Sequence, residues 1–311
     1  MKTVQNISVM NKIKRAGLAV LLLIASLSAE EARAQLAPLG ATYFQNQYIA
    51  NPAMAGLQDG LVVNLAARQQ WSVLPGSPQT QSLTGEYKTS KKVGLGLNLY
   101  NDQAGLIKNT RVMGTYAYHL PLNKEGNHLS FGVSLGFMDE RILNEDLDGV
   151  SADASLGKFA DRETFVDGDF GVAYQSSRFS AQLALPHLKS FFKQEDAQGS
   201  EIVDRSSFFA ATSYKMSFSN ALDGMALEPK VCYRAIKGLE DIVDLGTNIA
   251  LANNQVNVQA FYHSTQSLSV GMGFKAGPSL YFNGMYTSGT AALQGNTNGN
   301  FELNMRVKLN K

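Results

Sequence analysis

Residues 301–309 alternate strictly between apolar and polar side chains, and this alternation restricts the possible folds more than any other feature. Every second residue from Phe301 to Leu309 is apolar. The residues between them are polar or charged: Glu302, Asn304, Arg306 and Lys308. Because successive side chains of a strand point to opposite faces, this segment predicts a strand with one apolar face. About ten residues also suffice for a tilted strand to cross a bilayer.

The same alternation recurs along the chain and predicts fourteen strands. We place them at residues 61–71, 79–88, 93–100, 111–120, 129–137, 169–175, 179–185, 207–218, 227–235, 241–251, 255–263, 267–275, 280–286 and 301–309. One such strand would also fit a soluble sheet, but an even number of them is typical of bacterial outer-membrane barrels. The expected fold is all-β: a transmembrane antiparallel β-barrel of about 14 strands over residues 61–311, closed by pairing of its first and last strands.

The predicted connections differ in length in a regular way. The longest ones, at residues 101–110, 139–168, 186–206 and 287–300, all fall at the same end of the predicted barrel. Outer-membrane barrels have long extracellular loops and short periplasmic turns. With the N-terminus in the periplasm, the long connections are therefore expected outside the cell.

The first 34 residues have the pattern of a cleaved secretory signal peptide. Basic residues precede a short apolar run at 16–25, and Ala32-Arg33-Ala34 forms a small-x-small cleavage site. The alternative is an uncleaved anchor, although the run is shorter than the ~20 residues of a spanning helix. We therefore expect export to the outer membrane of a Gram-negative bacterium. Residues 35–60 lack alternation and are expected to form a short N-terminal extension in the periplasm or the lumen.

Charge and cysteine content exclude several classes of function. The net charge is +1, so the chain has no bulk attraction to nucleic acid. Charged residues make up 17% of the chain, below the ~25% of a typical soluble domain. Cys232 is the single cysteine, which excludes an intramolecular disulfide and a cysteine-based metal cluster. No cofactor is predicted.

A hydrolase-like motif occurs in the chain but has a simpler explanation. Gly132-Val133-Ser134-Leu135-Gly136 matches the Gly-x-Ser-x-Gly pattern, which needs a sharp strand-to-helix turn to expose its serine. Ser134 instead falls in the middle of a predicted strand, on its lumen face. The four histidines lack the spacing of zinc ligands and are expected at interfaces or in loops: His119, His128, His187 and His263. Neither the motif nor the histidine spacing therefore points to a catalytic site.

An acidic stretch offers a weak candidate for calcium binding. Asn144, Asp146 and Asp148 resemble the start of a calcium loop, but Ser155 stands where that motif needs a bidentate acid. A solvated acidic loop is the favoured interpretation, and weak calcium binding is the alternative.

Several motifs together resemble one protein family. They are Tyr43-Phe44-x-Asn46-x-Tyr48-x-x-Asn51-Pro52-Ala53-x-Ala55-Gly56, Arg68-x-Gln70-Trp71 with Gly76-x-Pro78-x-Thr80, Val93-Gly94-Leu95-Gly96-Leu97-x-Leu99-x-Asn101-Asp102-x-x-Gly105, and Pro186-His187-Leu188. In order and spacing they resemble the PorP/SprF family of the type IX secretion system. The resemblance covers essentially the whole mature chain and is strongest over residues 43–105.

The resemblance implies a role in type IX secretion or gliding motility, without enzymatic activity. Members are outer-membrane barrels that assist the export or surface anchoring of secreted proteins with a C-terminal sorting domain. One branch works with periplasmic ring, lipoprotein and motor components, and another is paired with a large surface adhesin. The implied partners are these proteins and outer-membrane lipid, with no nucleic acid.

We therefore predict a docking scaffold rather than a translocation pore. The residues expected to contact partners are Tyr43, Phe44, Asn46, Tyr48, Asn51, Pro52, Arg68, Trp71, Pro186 and His187. Residues 43–56 are expected to pack in the lumen or at the periplasmic mouth, where they would contact the machinery or plug the barrel. The alternative function is a passive diffusion porin, and a third is an outer-membrane lipase, for which Ser134 is poorly placed.

Overall fold

The computed structural model describes residues 39–71, 76–142, 164–189, 206–218, 224–236, 240–289 and 298–309. Two of the predictions fall on residues outside these ranges. They are the signal peptide over residues 1–34 and the calcium candidates Asn144, Asp146 and Asp148. Within the described ranges, no helix is both long enough and apolar enough to cross a membrane.

Short helical turns come first in the described chain, and strands follow. Helix α1 (Ala41–Phe44) and two 3-10 turns, Gln47–Ile49 and Pro52–Met54, precede the first strand. The strands are β1 (Leu61–Gln70), β2 (Gln79–Lys88), β3 (Val93–Ala104), β4 (Ile107–Pro121), β5 (His128–Ile142), β6 (Phe165–Gln175), β7 (Phe179–Leu185), β8 (Ser206–Tyr214), β9 (Met216–Phe218), β10 (Met225–Ile236), β11 (Ile242–Leu251), β12 (Val256–His263), β13 (Ser267–Ala276), β14 (Leu280–Thr287) and β15 (Asn300–Leu309). Each predicted strand corresponds to a strand of the structure, and residues 207–218 correspond to β8 and β9 together.

The strands form one antiparallel sheet that closes on itself. β15 pairs with β1 along their full length, from Leu61–Leu309 to Gln70–Asn300. β8 and β9 both pair with β10, so they are two segments of one barrel strand, interrupted at Lys215. The result is a closed antiparallel barrel of 14 strands, which confirms the predicted fold class. Closure pairs the backbone groups of every strand edge, as the hydrocarbon core of a membrane requires.

The two faces of the sheet have opposite polarity, and the apolar face is outside. On β15, Leu303 is 72% exposed, whereas its neighbours Glu302 and Asn304 are buried. On β5, Leu135 is 65% exposed and Ser134 is buried. Water would make this arrangement unfavourable, but lipid accepts an apolar outer band around a polar interior. The alternation in the sequence is thus an alternation between lipid and lumen.

The two ends of the barrel differ in the length of their connections. We call the loop end the one that carries residues 71–78, 143–164, 186–205, 237–241 and 288–299. The turn end carries residues 89–92, 122–127, 176–178, 219–224, 252–255 and 277–279. The longest connections between described strands therefore lie at one end, as predicted from the sequence.

The prediction of a long connection at residues 101–110 is wrong. β3 continues to Ala104 and β4 begins at Ile107, which leaves a two-residue hairpin turn whose Gly105 has a φ of +58°. Asn101 and Thr110 face each other across the two strands and are hydrogen-bonded at 3.0 Å. Most residues of these strand ends are polar, so the ends lack the regular alternation of apolar and polar residues that predicts a strand.

Candidate functional site

The chain's own N-terminal residues occupy the lumen. Residues 39–56, which we call the lumenal segment, contact inward-facing residues of strands on all sides of the barrel. The segment starts near Glu302, in the half toward the loop end, and reaches Gly94 at the turn end. It contains six residues predicted to bind partners: Tyr43, Phe44, Asn46, Tyr48, Asn51 and Pro52.

The first residues of the lumenal segment are held by the barrel wall. Helix α1 has no capping side chain of its own. Glu302 of β15 supplies the cap, because its two carboxylate oxygens accept hydrogen bonds from the N–H groups of Gly40 at 2.7 Å and Ala41 at 2.9 Å. The first N–H groups of a helix have no partner within the helix and need such an acceptor. Asn304 also donates to Glu302 at 2.9 Å, which fixes the carboxylate.

Tyr43 joins a buried polar cluster centred on Asp244 of β11. The Tyr43 hydroxyl donates to Asp244 Oδ2 at 2.8 Å. Arg234 Nη2 lies 3.0 Å from the same oxygen, and His263 Nδ1 lies 2.6 Å from Oδ1. Asp244 is 1% exposed, so its charge needs the Arg234 guanidinium as a partner. Burial, reinforced by the negative Asp244, raises the pKa of Tyr43 well above its ordinary value, and its hydroxyl remains a donor.

Aromatic contacts hold the same part of the lumenal segment. The Tyr43 ring stacks on Phe261 of β12 with 4.1 Å between centroids, and the Phe44 ring lies 5.5 Å from Phe261. Lys230 Nζ donates to the Tyr43 carbonyl and lies 5.1 Å from the Phe44 ring centroid. The buried Lys230 ammonium is therefore solvated by a carbonyl and an aromatic face of the segment.

The middle of the lumenal segment is bonded to the opposite wall. Asn46 Nδ2 donates to Thr84 Oγ1 of β2 at 2.8 Å. The Tyr48 hydroxyl lies 2.6 Å from Thr115 Oγ1 of β4, and burial raises the pKa of Tyr48 above its ordinary value. A Cβ atom added to Gly96 would lie 2.6 Å from the Tyr48 ring, so only glycine fits there.

Asn51 anchors the second 3-10 turn against β6 and β7. Its Nδ2 donates to the carbonyls of Val172 at 3.2 Å and Leu183 at 3.3 Å, and its Oδ1 accepts from the Ala53 N–H at 2.9 Å. A Cβ atom on Gly171 would lie 2.0 Å from Asn51 Oδ1. Two further inward-facing glycines are equally close to the segment. A Cβ atom on Gly132 would lie 2.2 Å from Ala53 N, and a Cβ atom on Gly94 would lie 2.1 Å from Ala55 O. The inward glycines therefore make room for the lumenal segment.

Ser134 of the hydrolase-like motif lies on the lumen face, as its position in the strand predicts. It is 3% exposed and its hydroxyl lies 2.6 Å from Thr115 Oγ1. Gly132 in the same motif packs against Pro52 and Ala53. The motif serves lumen packing, and no strand-to-helix turn presents its serine.

Two predicted site residues, Arg68 and Trp71, lie at the loop end of β1 and just beyond it. Arg68 is buried, and its Nη2 donates to Thr80 Oγ1 at 3.0 Å. Thr80 in turn donates to Asp102 Oδ1 at 2.6 Å. Trp71 has a positive φ of 49°, and its N–H donates to the Gly299 carbonyl at 2.9 Å. Arg68 thus belongs to the lumen wall, whereas Trp71 is half-buried at the rim.

The predicted pair Pro186 and His187 lies apart from the lumenal segment, at the start of the connection after β7. His187 Nδ1 lies 2.8 Å from Asp167 Oδ2, and its N–H donates to Asp169 Oδ1 at 3.0 Å. Asp169 also pairs with Arg111 Nη2 at 2.5 Å. This connection therefore begins by turning inward onto β6, with His187 half-buried.

The structure brings together polar residues that sequence analysis missed. Ser269 Oγ lies 2.7 Å from His263 Nε2, and His263 Nδ1 lies 2.6 Å from Asp244, which is the connectivity of a hydrolase triad. Ser269 is only 2% exposed and is also bonded to Thr287 at 2.6 Å. Asp244 is shared with Tyr43 and Arg234. The arrangement anchors the lumenal segment and leaves the serine no access to a substrate.

The expectation that the histidines lie at interfaces or in loops is wrong for His119 and His263. Both are buried in the lumen, and His119 Nε2 lies 3.0 Å from the Ala55 carbonyl. Both histidines occupy inward-facing positions of predicted strands, and this pattern could have predicted that they lie in the lumen. In the described part of the chain, no group of three or more His, Cys, Asp or Glu residues could hold a metal ion.

A model of one protein family matches almost the entire chain. It is described as type IX secretion system membrane protein PorP/SprF and matches residues 32–307. No curated protein matches the sequence.

Solved barrels resemble the chain only distantly. Omp33 of Acinetobacter baumannii is 8% identical with a TM-score of 0.46, over 82% of this chain and 100% of that one. The CymD monoaromatic hydrocarbon channel is 14% identical with a TM-score of 0.46, over 86% and 93%. The toluene transporter TbuX of Ralstonia pickettii is 11% identical with a TM-score of 0.46, over 84% and 92%. Likeness at this level says nothing about what the present chain binds or transports.

Proposed function

The chain belongs to the PorP/SprF family of type IX secretion system membrane proteins, and on that premise we propose that it is a non-enzymatic docking scaffold of the outer membrane. A cleaved signal peptide over residues 1–34 would export it. Its partners would be outer-membrane lipid, a secreted protein with a type IX C-terminal sorting domain or a surface adhesin, and periplasmic ring or lipoprotein components. The role in gliding motility belongs to the same proposal.

The observation that carries the proposal is the filled lumen. The diameter of a barrel grows roughly linearly with strand number, so fourteen strands enclose more space than the eight-stranded barrels that side chains alone fill. Residues 39–56 already occupy that space and are bonded to the wall at Glu302, Asp244, Thr115 and the carbonyls beside Asn51. A client chain in the lumen would have to displace these contacts. This favours docking at the two ends of the barrel over passage through it.

The two ends suit different partners. We propose that the loop end faces outward and retains the client, with Trp71, Pro186 and His187 near its rim. The turn end would face the periplasmic components. The residues of the lumenal segment predicted to bind partners pack against the wall, so their contribution would be to keep the barrel plugged and rigid.

A pull-down in gentle detergent tests the proposal. We expect the tagged barrel to recover a secreted protein with a C-terminal sorting domain, or periplasmic secretion components, as identified by mass spectrometry. We expect Trp71→Ala to lower client recovery several-fold, whereas Glu240→Ala, an exposed change at the same end, leaves it unchanged. Recovery of the barrel with neither kind of partner would overturn the docking role.

Conductance separates the scaffold from the porin alternative. A passive porin would show stable open-channel conductance in a planar bilayer without any change to the lumenal segment. A plugged scaffold would not, because the segment is bonded on both sides of the lumen. Open-channel conductance by the unchanged protein, together with an empty pull-down, would favour the porin.

A further inference from the structure

A cavity of about 410 Å³ lies between the lumenal segment and strands β11 to β15, toward the turn end. Its volume falls within the range of about 300–1,000 Å³ that is usual for ligand sites. Two turns at this end contribute Asn254, Pro278 and Ser279 to its lining. Phe44 and Gln45 of the lumenal segment form part of its inner wall.

The charged residues that line the cavity are all cations: Lys275, Arg306 and Lys308. Within the described residues, neither lysine ammonium has a hydrogen bond or an ion pair. Arg306 donates through Nε to Asn64 Oδ1 at 2.8 Å, and its two Nη groups have no partner in the described chain. Three cations that line one cleft raise the local concentration of anions there.

The carboxylates nearest to these cations, Glu86 and Asp59, have other partners. Glu86 interacts electrostatically with Arg306, but its oxygens accept hydrogen bonds from Gly56 N–H at 3.2 Å and Asn64 Nδ2 at 3.4 Å. Asp59 forms an ion pair with Lys88 at 2.6 Å. Asp59 also interacts electrostatically with Lys308, but forms no ion pair with it. The lining itself therefore carries three cations and no carboxylate.

Two buried amides that line the cavity have polar atoms without partners. Gln45 is 7% exposed, and neither its Nε2 nor its Oε1 has a hydrogen bond. Gln259 is 1% exposed; its Nε2 donates to Asn248 at 3.3 Å, but its Oε1 has no partner. Buried polar groups in native structures nearly always have a hydrogen-bond partner, so these amides can donate to and accept from a molecule held in the cavity.

We propose that this cavity binds a short acidic segment of a peptide chain, inserted from the turn end. Carboxylates would pair with Lys275, Lys308 and the free Nη groups of Arg306, whose planar fork matches a carboxylate. Peptide N–H groups would donate to the open oxygens of Gln45 and Gln259. Phe44 and Pro278 give the cavity an apolar side, which suits the carbon atoms of a peptide and not an inorganic anion.

Calorimetry on the purified full-length mature barrel in zwitterionic detergent tests the proposal. The probe is tri-glutamate, with tri-glutamine as the neutral peptide and citrate as a free carboxylate. We expect tri-glutamate to bind, tri-glutamine not to bind, and added salt to weaken the binding. Binding of citrate without tri-glutamate would overturn the assignment to a peptide.

Variants locate the binding. Lys275→Gln combined with Lys308→Gln should weaken tri-glutamate binding at least tenfold, because both ammonium groups are removed and neither has a hydrogen bond or an ion pair among the described residues. Lys124→Gln removes an exposed cation of the same end that does not line the cavity, and should change affinity less than twofold. Absence of binding, or equal binding by the double variant, would overturn the proposal. The purified probe assay contains no secretion partner, so its failure leaves the docking role untouched.

Discussion

The contacts of Tyr43 can be separated by single substitutions. Tyr43→Phe removes the hydrogen bond to Asp244 but keeps the ring on Phe261, and should lower the free energy of unfolding by about 1–2 kcal/mol. Asp244→Asn leaves the buried Arg234 without a carboxylate and should cost about 3–5 kcal/mol. Denaturant unfolding of the barrel in lipid vesicles measures both.

The control for the tyrosine lies on the lipid face. Tyr116 of β4 is 52% exposed, and Tyr116→Phe should leave stability nearly unchanged. Equal losses for the two tyrosine substitutions would contradict an anchoring role for the Asp244 cluster.

Inward glycines give a second prediction at the scale of the residue. Gly171→Ala places a Cβ atom 2.0 Å from Asn51 Oδ1, so either the strand or the lumenal segment must move. We expect a loss of about 1–3 kcal/mol, as for overpacked cores, and a less heat-resistant folded band on gel electrophoresis.

Gly114→Ala is the matched change, because its Cβ would meet only Leu135 O at 3.9 Å. It should leave the folded band unchanged. If both glycine variants behave alike, the packing of the segment against β6 does not limit stability.

Single residues also show what a sequence pattern can reveal. The inward positions of Asp244, His263 and Ser269 follow from alternation alone. That they meet on neighbouring strands depends on register, since a shift by one residue would send each side chain to the other face. The contact with Tyr43 depends on a segment that has no alternation at all, so the sequence could not place it.

At the scale of the element, the lumenal segment should determine whether the barrel conducts. Tyr48→Ala combined with Asn51→Ala removes hydrogen bonds to β4, β6 and β7 and should loosen the segment. We expect stable open-channel conductance to appear in a planar bilayer, where the unchanged protein shows none. Tyr116→Ala removes a comparable ring from the outer face and should have no effect; a rise with this control too would assign the conductance to general destabilisation.

The β3–β4 hairpin shows where element prediction fails for a physical reason. Apolar alternation marks a strand only where one face meets lipid. Asn101 and Thr110 pair through backbone and side chain at the loop end, and their polarity resembles that of a loop. Strand existence was predictable here, and strand length was not.

Orientation in the membrane is a property of the whole molecule and can be tested by labelling. Cys232 is 1% exposed and should not react with a maleimide, so any labelling comes from the introduced cysteine. We expect Glu240→Cys, at the loop end, to react with an impermeant maleimide on intact cells. Lys124→Cys, at the turn end, should react only after the outer membrane is permeabilised. The opposite pattern would invert the proposed docking sides.

The sequence by itself determined the closed antiparallel barrel, its strand number and the end that carries its long connections. These follow from local alternation and connection length, because lipid outside and polar groups inside impose a period of two on every strand. Only the tertiary structure decided what fills the barrel. Residues 39–56 carry no periodic signal, and their position depends on contacts with residues as distant in sequence as Glu302, Asp244 and Thr115. Such contacts, and the cationic cavity that the segment helps to close, exist only once all strands have met.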